Sequence, residues 1–444
     1  MSDAQPPAHR SIAVVGAGYV GLVSAVGLAR MGHRIELVET DPDRLTQLRA
    51  GRVPFSEAGV QEALNEALAD GSMTILDGAT GTTAEIALIC VGTPIDTQGH
   101  ADVSAVETVL AELNRRKARP IIVIRSTTPV GTCQRLLRDG HVADASRFFT
   151  VPEFLAQGTA LRDFGTPHRV VIGRASSADP DALATLVEVF GFSDAPVRVV
   201  TLEESELIKN GANAFLALKL SFTNELAGLA ERSGADVGPV LEAIGLDPRI
   251  GQTYMRPGFG FGGSCLPKEL QTIATSGQER GLPMHVTAAA TEANLAQQVL
   301  FAERVEATLG GVDGRTIALL GLAFKAGTDD IRYSPAVGLA RWLLERGARV
   351  QAFDPAAAKR AAQALPRLAI CESALDAVAG ADAVIVATEW PEFADLDWRR
   401  VRAAVATPLL FDGRRLLDPD AMRGLGFRYE RVGSPPGVAP VEVR

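Results

Sequence analysis

The sequence predicts an α/β protein with two doubly wound lobes, joined by a long central helix and a helical middle domain. Three observations support this fold class. Short apolar, β-branched runs alternate with helical-period segments near the N-terminus, and the same alternation returns beyond residue 315. The Ala- and Leu-rich stretch between them contains no convincing strand. We therefore predict three domains, at residues 1–201, 202–300 and 301–444.

The first lobe is predicted from four apolar runs that are separated by helix candidates. The predicted strands are Ile12–Val15, Arg34–Val38, Ile86–Val91 and Pro120–Arg125. Strands that alternate with helices in this way form a parallel sheet with helices on both faces.

The middle segment, from about Leu202 to Gln298, is predicted to be helical. A long helix that ends near Arg232 either presents a face for dimerisation or lies in the core of one chain. The second lobe follows with strands predicted at Thr316–Leu320, Arg349–Phe353, Ala383–Ala387 and Pro408–Phe411. Residues 1–8 and 434–444 are weakly patterned, and we expect them to form mobile tails.

Composition excludes several classes of protein. The 444 residues are 47% hydrophobic and 22% charged, which argues against disorder and against a coiled coil. A net charge of −9 predicts no nucleic-acid partner and no membrane partner, so an anionic ligand needs a local basic site. The four cysteines are dispersed and show no metal-site spacing, which predicts no metal and a reducing, cytoplasmic location.

The uncharged stretch Ser11–Ala29 has the length of an export signal, but its glycines favour a nucleotide turn. Strand, G-x-G-x-x-G and helix follow one another, and an acidic residue ends the next strand, as in Rossmann-like dinucleotide sites. That acid favours NAD over NADP, although the nearby Arg44 keeps NADP open. The predicted contacts in this segment are Gly16, Gly18, Tyr19, Val20, Gly21, Glu39 and Arg44.

Cys265 is the candidate nucleophile. It follows a glycine-rich loop and precedes a predicted helix, with Lys268 three residues later, and this setting stabilises a thiolate. Cys90, Cys133 and Cys371 lack such a loop, and we expect them to be buried apolar residues.

Two further segments carry chemically active side chains. The first runs Val-Pro-Glu153-Phe-Leu-Ala-Gln157, and the second places Lys209 four residues before Asn213, on one face of a helix. A solvated polar face is the alternative for the second segment, and composition alone does not reject it.

These motifs resemble the nucleotide-sugar 6-dehydrogenases of the UDP-glucose/GDP-mannose dehydrogenase family over nearly the whole chain. The resembling segments are Gly16–Gly21, Val91–Pro94, Arg125–Gly131, Pro152–Leu155, Lys209 with Asn213, Gly245–Gly251, Gly262–Lys268, Gly321–Lys325, Thr388–Phe393 and Phe411–Arg414. The resemblance implies an NAD lobe, a central dimerisation element, a nucleotide-sugar lobe and a catalytic cleft between the lobes. It also implies a four-electron oxidation of UDP-glucose at C6 through a cysteine thiohemiacetal and thioester, in a homodimer or dimer-based oligomer.

The resemblance assigns roles to individual residues. The implied catalytic residues are Cys265, Lys209, Asn213, Glu153, Thr127 and Glu269. The implied cofactor contacts beyond the glycine turn are Thr93, Pro94, Thr127, Gln157, Lys268 and Arg332. The implied substrate contacts are Glu153, Phe154, Leu155, Lys209, Asn213, Arg249, Tyr254, Arg256, Pro257, Gly258, Gly262, Phe324, Lys325 and Arg414.

Two positions depart from the family pattern. This chain has Gln157 where the family usually has glutamate, and Glu269 where it usually has aspartate. The general base therefore stays open among Glu153, Glu269 and a water molecule. The substrate stays open too, because Tyr254–Gly258 with the Cys265 loop also resembles GDP-mannose dehydrogenases, and another nucleoside-diphosphate sugar also fits. Rival functions are a regulatory protein that binds NAD and nucleotide sugar without turnover, and a one-step hydroxyacid dehydrogenase, which needs no Cys265.

Overall fold

A computed structural model of the chain describes residues 9–96, 98–117 and 119–435. They form two compact units, and each is described by itself. The first unit comprises Met1–Ala212 with Thr275–Leu282, and the second comprises Asn213–Ala274 with Pro283–Arg444. The three domain limits given above remain a prediction.

The first unit contains an eight-stranded sheet. Its strands are β1 Ser11–Val15, β2 Arg34–Val38, β3 Met73–Leu76, β4 Ile86–Ile89, β5 Ile121–Ile124, β6 Phe148–Thr150, β7 Val170–Arg174 and β8 Val197–Thr201. Its helices are α1 Tyr19–Arg30, α2 Pro42–Arg49, α3 Val60–Ala69, α4 Ser104–Asn114, α5 Thr132–Arg138, α6 Ala160–Gly165 and α7 Pro180–Phe190, with 3₁₀ turns at Ala79–Gly81 and Ala145–Arg147.

The strand order in this sheet is β3-β2-β1-β4-β5-β6-β7-β8. All neighbouring strands are parallel except β6 and β7, which are antiparallel. The order reverses between β1 and β4, and ligands of open parallel sheets bind beside such a reversal, at the carboxyl ends of the strands.

Helix α8, Leu202–Arg232, follows β8. Its 31 residues make a helix about 46 Å long, and the boundary between the two units falls inside it, between Ala212 and Asn213. The predicted long helix ending near Arg232 is present. Two more helices follow, α9 Val237–Gly245 and α10 Leu266–Gln278.

The second unit contains a six-stranded sheet of order β11-β10-β9-β12-β13-β14, in which all neighbours are parallel. Its strands are β9 Thr316–Leu320, β10 Arg349–Phe353, β11 Ala369–Ile370, β12 Ala383–Val386, β13 Leu409–Asp412 and β14 Arg428–Arg431. The remaining helices are α11 His285–Leu309, α12 Pro335–Glu345, α13 Ala358–Ala364, α14 Ala374–Val378, α15 Pro391–Ala394, α16 Trp398–Ala404 and α17 Pro419–Gly424.

The predicted fold class is confirmed. Strands β1–β6 of the first sheet and β9–β14 of the second are parallel, and both sets have the strand order of a doubly wound nucleotide fold. The predicted start of the C-terminal tail at residue 434 is wrong. Ser434 is buried and donates a hydrogen bond to Asp236 (2.8 Å), while residues 1–8 and 436–444 lie outside the described part of the chain. Within that described part, no helix combines the length and apolar character needed to cross a bilayer.

Candidate active site

The glycine turn of the first unit joins β1 to α1 beside the reversal of strand order. Gly16 has a φ of 97°, a left-handed conformation that favours glycine, and its N–H donates to the Val38 carbonyl at 2.8 Å. A Cβ on Gly21 would lie 1.8 Å from the Gly16 oxygen, so the helix and the turn are in direct contact. A Cβ on Gly18 would meet nothing within 4 Å, which leaves open space for a pyrophosphate beside the N-terminus of α1.

Glu39 ends β2 next to this turn and is buried. Its carboxylate accepts hydrogen bonds from the Ala17 and Thr40 N–H groups (3.2 and 2.8 Å) and from Arg44 Nη1 (2.7 Å). Burial alone raises the pKa of Glu39, but the backbone N–H groups of residues 40–41 and Arg44 outweigh it, and the pKa lies below its ordinary value. The open turn and an ionised acid at this strand end fit an adenosine dinucleotide with an unphosphorylated ribose.

Tyr19 connects the glycine turn to a second loop. Its hydroxyl donates to Glu57 Oε2 at 2.5 Å, and the same carboxylate accepts from the N–H groups of Gly158 and Ala160 (2.6 and 2.9 Å). The half-buried Gln157 lies in this loop. Sequence reasoning missed Glu57, because its partners lie 38 to 103 residues away.

Thr93 and Thr127 lie together beyond the ends of β4 and β5. The Thr93 hydroxyl donates to the Thr127 carbonyl at 2.7 Å, and Pro94 accepts a hydrogen bond from the Asp102 N–H at 2.8 Å. Thr127 lines a small cavity together with Pro152 and Lys209. Three of the predicted site segments therefore meet at one edge of the first sheet.

Glu153 and Lys209 form a buried ion pair with a distance of 2.9 Å between Oε1 and Nζ. Glu153 also accepts from the Leu155 N–H at 2.6 Å. Burial alone raises the pKa of Glu153, but Lys209 outweighs it, so the pKa lies below its ordinary value. The Glu153 carboxylate is therefore ionised at neutral pH. Lys209 Nζ also lies 5.6 Å from the centroid of the Phe154 ring.

Arg169 was not predicted as a site residue. Its guanidinium stacks on Phe154 at 3.8 Å from the ring centroid, and burial lowers its pKa. The residues around it in the sequence form an ordinary strand start, so no local signal points to this contact.

Cys265 is exposed and comes directly before α10 in the second unit. The Glu269 N–H donates to the Cys265 carbonyl at 2.9 Å, so Cys265 is the N-cap residue of α10. A negative charge on Cys265 and the Asp330 carboxylate both raise the pKa of Arg332, and the Asp330 hydrogen bond is the larger cause. A thiolate here gains from the helix N-terminus and from Arg332.

The loop before Cys265 is tightly packed. The Gly263 N–H donates to the Arg332 carbonyl at 2.9 Å, and a Cβ on Gly262 would lie 2.1 Å from the Tyr333 oxygen. The Phe324 ring would be 2.7 Å from a Cβ on Gly263. The structure thus brings together the predicted residues Gly262, Phe324 and Arg332 around the nucleophile loop.

Arg414 follows β13 and is largely buried. Its Nε donates to the Ala387 carbonyl and its Nη1 to the Gly260 carbonyl, both at 2.9 Å, and the guanidinium lies 4.8 Å from the Phe259 ring centroid. Burial lowers the pKa of Arg414. Its Nη2 has no hydrogen-bond partner among the described residues, which leaves a buried cationic donor for a ligand.

The remaining predicted residues differ widely in exposure. The Arg249 side chain is 88% exposed and is paired with Asp247. Tyr254 and Arg256 are exposed, whereas Pro257 and Gly258 are buried. Glu269 is buried, and Asn213, Lys268 and Lys325 are half-buried. Cys90 and Cys133 are buried as expected, but Cys371 is partly exposed.

Family models match three consecutive parts of the chain. Residues 10–191 match the NAD binding domain, residues 203–296 the central domain and residues 318–419 the UDP binding domain of the UDP-glucose/GDP-mannose dehydrogenases. The chain belongs to this family. It is an NAD-dependent oxidoreductase with a nucleotide-sugar substrate.

Relatives of this dehydrogenase cover nearly its full length. The UDP-glucose 6-dehydrogenase of Pseudomonas aeruginosa is 40% identical over 96% of this chain and 97% of its own, and that of Rhizobium meliloti is 37% identical over 96% and 99%. A solved UDP-glucose dehydrogenase from Pyrobaculum islandicum is 36% identical, with a TM-score of 0.87 over 98% of this chain and 100% of its own.

Proposed function

We propose that this dehydrogenase oxidises the C6 alcohol of UDP-glucose to a carboxylate, giving UDP-glucuronate, with Cys265 as the nucleophile. The position of Cys265 carries the proposal. It is exposed at the start of α10 behind a packed glycine loop, whereas Cys90 and Cys133 are buried in cores. The identity of 40% with a UDP-glucose 6-dehydrogenase over nearly the whole chain supports the choice of sugar.

The proposed chemistry balances as two oxidations and one hydrolysis. When bound, NAD supplies the acceptor for the hydride released from C6, once in each oxidation. The alcohol first loses a proton and a hydride and becomes an aldehyde. The Cys265 thiolate adds to the aldehyde carbon, and protonation of the oxygen gives a thiohemiacetal. Loss of a second proton and hydride yields a thioester, and water then displaces the thiolate and leaves the carboxylate.

Residues of the first unit, together with Asn213 at the start of the second unit, support the charge changes in this scheme. We assign Lys209 and Asn213 to the oxygen on C6, where a cation and an amide donor stabilise developing negative charge. We assign Glu153 as the base that activates water, because its pKa lies below the ordinary value and it is ionised at neutral pH. We assign Thr127 to the binding of that water, since Thr127 and Lys209 line the same cavity.

Residues of the second unit supply the cations that a diphosphate needs in an acidic protein. We assign Lys325 and Arg414 to the nucleotide, and Phe324 to its apolar surface. The buried Nη2 of Arg414 supports this role, because among the described residues it has no protein partner. A reaction that depends on a reduced thiolate suits the cytoplasm, where thiols are kept reduced.

We also propose a homodimer built on α8. Phe215, Phe222 and Leu229 follow one another at seven-residue intervals on this helix and are 63%, 53% and 62% exposed. Residues seven apart lie on one helical face, so they form an apolar stripe, and the same stripe on a second copy is self-complementary.

The decisive experiment measures NADH formed per UDP-glucose consumed, with GDP-mannose and TDP-glucose in parallel. We expect about two NADH per UDP-glucose and no sustained NADH formation by the Cys265→Ser variant. The matched control is Cys371→Ser, at a partly exposed cysteine far along the chain, which we expect to keep full activity.

Other outcomes would contradict particular parts of the proposal. One NADH per sugar, unaffected by the Cys265 substitution, would indicate a one-step dehydrogenase. Binding of NAD and nucleotide sugar without any NADH would indicate a regulatory protein. Faster turnover of GDP-mannose than of UDP-glucose would overturn the choice of substrate.

A further inference from the structure

Glu206 is a buried carboxylate in the first turns of α8, with 4% of its surface exposed. It accepts hydrogen bonds from Thr128 Oγ1 (2.9 Å), from the Gly131 N–H (2.6 Å) and from the Cys133 N–H (2.9 Å). All three donors belong to the turn after β5 and to the start of α5. One side chain from a distant helix therefore holds this whole turn.

The start of α5 depends on this contact. Its first flanking residue is Gly131, which has a φ of 89° and no side chain with which to cap the helix. The first N–H groups of a helix lack partners within the helix and need an outside acceptor. Glu206 supplies that acceptor from 73 to 78 residues away in the sequence.

A second residue of α8 strengthens the attachment. Asn210, one helical turn after Glu206, donates from Nδ2 to the Thr128 carbonyl at 2.9 Å and to the Glu206 carbonyl at 2.8 Å. The hydroxyl and the carbonyl of Thr128 are therefore both hydrogen-bonded to α8.

The neighbours of Thr127 are anchored on the other side as well. The Ser126 hydroxyl donates to the Val91 carbonyl at 2.6 Å, and the Thr127 carbonyl accepts from Thr93 at 2.7 Å. Thr127 lines the cavity that Glu206 and Lys209 also line. The backbone of Thr127 is thus held by the contacts of its own carbonyl and of the residues on both sides of it.

Burial raises the pKa of Glu206, even though its donors, the Cys133 thiol and the Cys133 N–H foremost among them, act in the opposite direction. A carboxyl group with a raised pKa in the folded protein contributes stability in its protonated form, and this stability is lost as the pH rises through that pKa. Ionising Glu206 therefore costs more free energy in the folded protein than in the unfolded chain.

We propose that Glu206 is a positioning residue, whose carboxyl group fixes the turn that presents Thr127 to the reacting groups. The inference rests on the role proposed above for Thr127. Glutamine has one acceptor oxygen and one donor nitrogen. Its side-chain NH₂ group would therefore face the backbone N–H of Gly131 or of Cys133, and two donors form no hydrogen bond. The Glu206→Gln variant therefore loses part of the cap while keeping its size.

The test compares Glu206→Gln with Glu36→Gln. Glu36 is a matched control in β2, because it also accepts from a threonine hydroxyl and from two backbone N–H groups, those of Thr83 and Ala84. We expect Glu206→Gln to lower kcat about tenfold or more, because small displacements of positioned groups have large effects on rate. We expect the KM for UDP-glucose to stay within about threefold of wild type, and Glu36→Gln to keep the wild-type kcat.

Two further measurements connect the effect to Thr127. Amide hydrogen exchange should become faster at Gly131 and Cys133 in Glu206→Gln, and at Thr83 and Ala84 in Glu36→Gln. In a Thr127→Ala background, adding Glu206→Gln should lower kcat by less than about threefold, because two changes that act on one group are not additive.

The outcomes separate this inference from the proposed function. Active wild-type protein with equal kcat for the two glutamine variants would overturn the role of Glu206 and leave the reaction standing. Unchanged exchange at Gly131 and Cys133 would overturn it as well, whatever the activity. Fully multiplicative effects of Thr127→Ala and Glu206→Gln would show that Glu206 acts elsewhere. Wild-type protein that forms no NADH with any nucleotide sugar would overturn the proposed function, and the role of Thr127 with it.

Discussion

Single residues in the first unit show how burial and charge pairing set the state of a carboxylate. Glu153 and Glu206 are both buried. The pKa of Glu153 is lowered because the charge of Lys209 and the neighbouring donors outweigh burial, whereas that of Glu206 is raised because burial outweighs its neutral donors. The pKa values of these two buried glutamates are thus shifted in opposite directions.

We predict that Glu153→Gln removes an acid-dependent part of the stability. A lowered pKa in the folded state means that the ionised carboxylate stabilises the fold above its unfolded pKa of about 4.5, and that this stabilisation is lost as the pH falls through the folded pKa. The variant should be less stable at pH 7 by about 3–5 kcal/mol, because Lys209 stays buried without its anion. Its stability should also change less between pH 7 and about pH 2.

Urea unfolding at both pH values measures this difference. The control is Glu62→Gln on α3, which makes the same change of charge at an exposed site. An acid dependence in Glu153→Gln equal to that of wild type would show that the ion pair does not contribute to stability.

At the scale of elements, the two sheets share one strand order but differ where their second strand ends. Asp354 follows β10 as Glu39 follows β2, yet the Asp354 carboxylate accepts from Leu322 N–H (2.7 Å), Ala323 N–H (2.9 Å) and Trp390 Nε1 (3.1 Å). The turn amides of the second sheet are therefore used within the protein. This difference agrees with an NAD domain in the first unit and a UDP domain in the second.

We predict that alanine substitution at two glycines of the first turn affects two different properties, the stability at Gly21 and the NAD affinity at Gly18. Gly21→Ala should destabilise the protein by about 2 kcal/mol or more, because its Cβ would lie 1.8 Å from the Gly16 oxygen. Gly18→Ala should keep the melting temperature, because its Cβ meets no protein atom within 4 Å, but it should weaken NAD binding where the pyrophosphate approaches.

Thermal unfolding and NAD titration by calorimetry separate the two effects. Unchanged NAD affinity in Gly18→Ala would place the pyrophosphate elsewhere, and an unchanged melting temperature in Gly21→Ala would contradict the close packing of turn and helix.

At the scale of the whole molecule, the second unit presents apolar side chains that its own core does not cover. Besides the α8 stripe, Leu295 and Val299 on α11 are 58% and 47% exposed, and α11 packs on α8 through the hydrogen bond from Ser221 to Ala290. Neighbouring exposed apolar side chains on packed helices are typical of a protein interface.

We predict that Phe222→Glu converts the dimer into a monomer, because a charge at the centre of the stripe would be buried without a partner. Light scattering after size exclusion gives the mass directly. The control is Leu282→Glu, at another exposed leucine outside the stripe, which should keep the dimer mass. A Phe222→Glu variant with the wild-type mass, or a monomeric wild type, would exclude this interface.

Local patterns in the sequence were sufficient for the fold class and for part of the site. Strand and helix periodicity, the glycine turn and the loop before Cys265 act within a few residues, so they can be read from the chain in order. The predicted long helix and the acid at the end of β2 lie where the structure has them. The roles implied for Cys265 and Glu153 stay proposals.

Contacts between distant residues were decided only by the tertiary structure. Glu206 reaches Thr128 across 78 residues, Glu57 reaches Gly158 across 101, and Arg169 stacks on Phe154. Hydrogen bonds and stacking of this kind leave no periodic signal, because they depend on how strands and helices come together in space. Sequence pattern therefore specified the elements and the glycine-rich loop before Cys265, and packing specified which buried side chains contact one another.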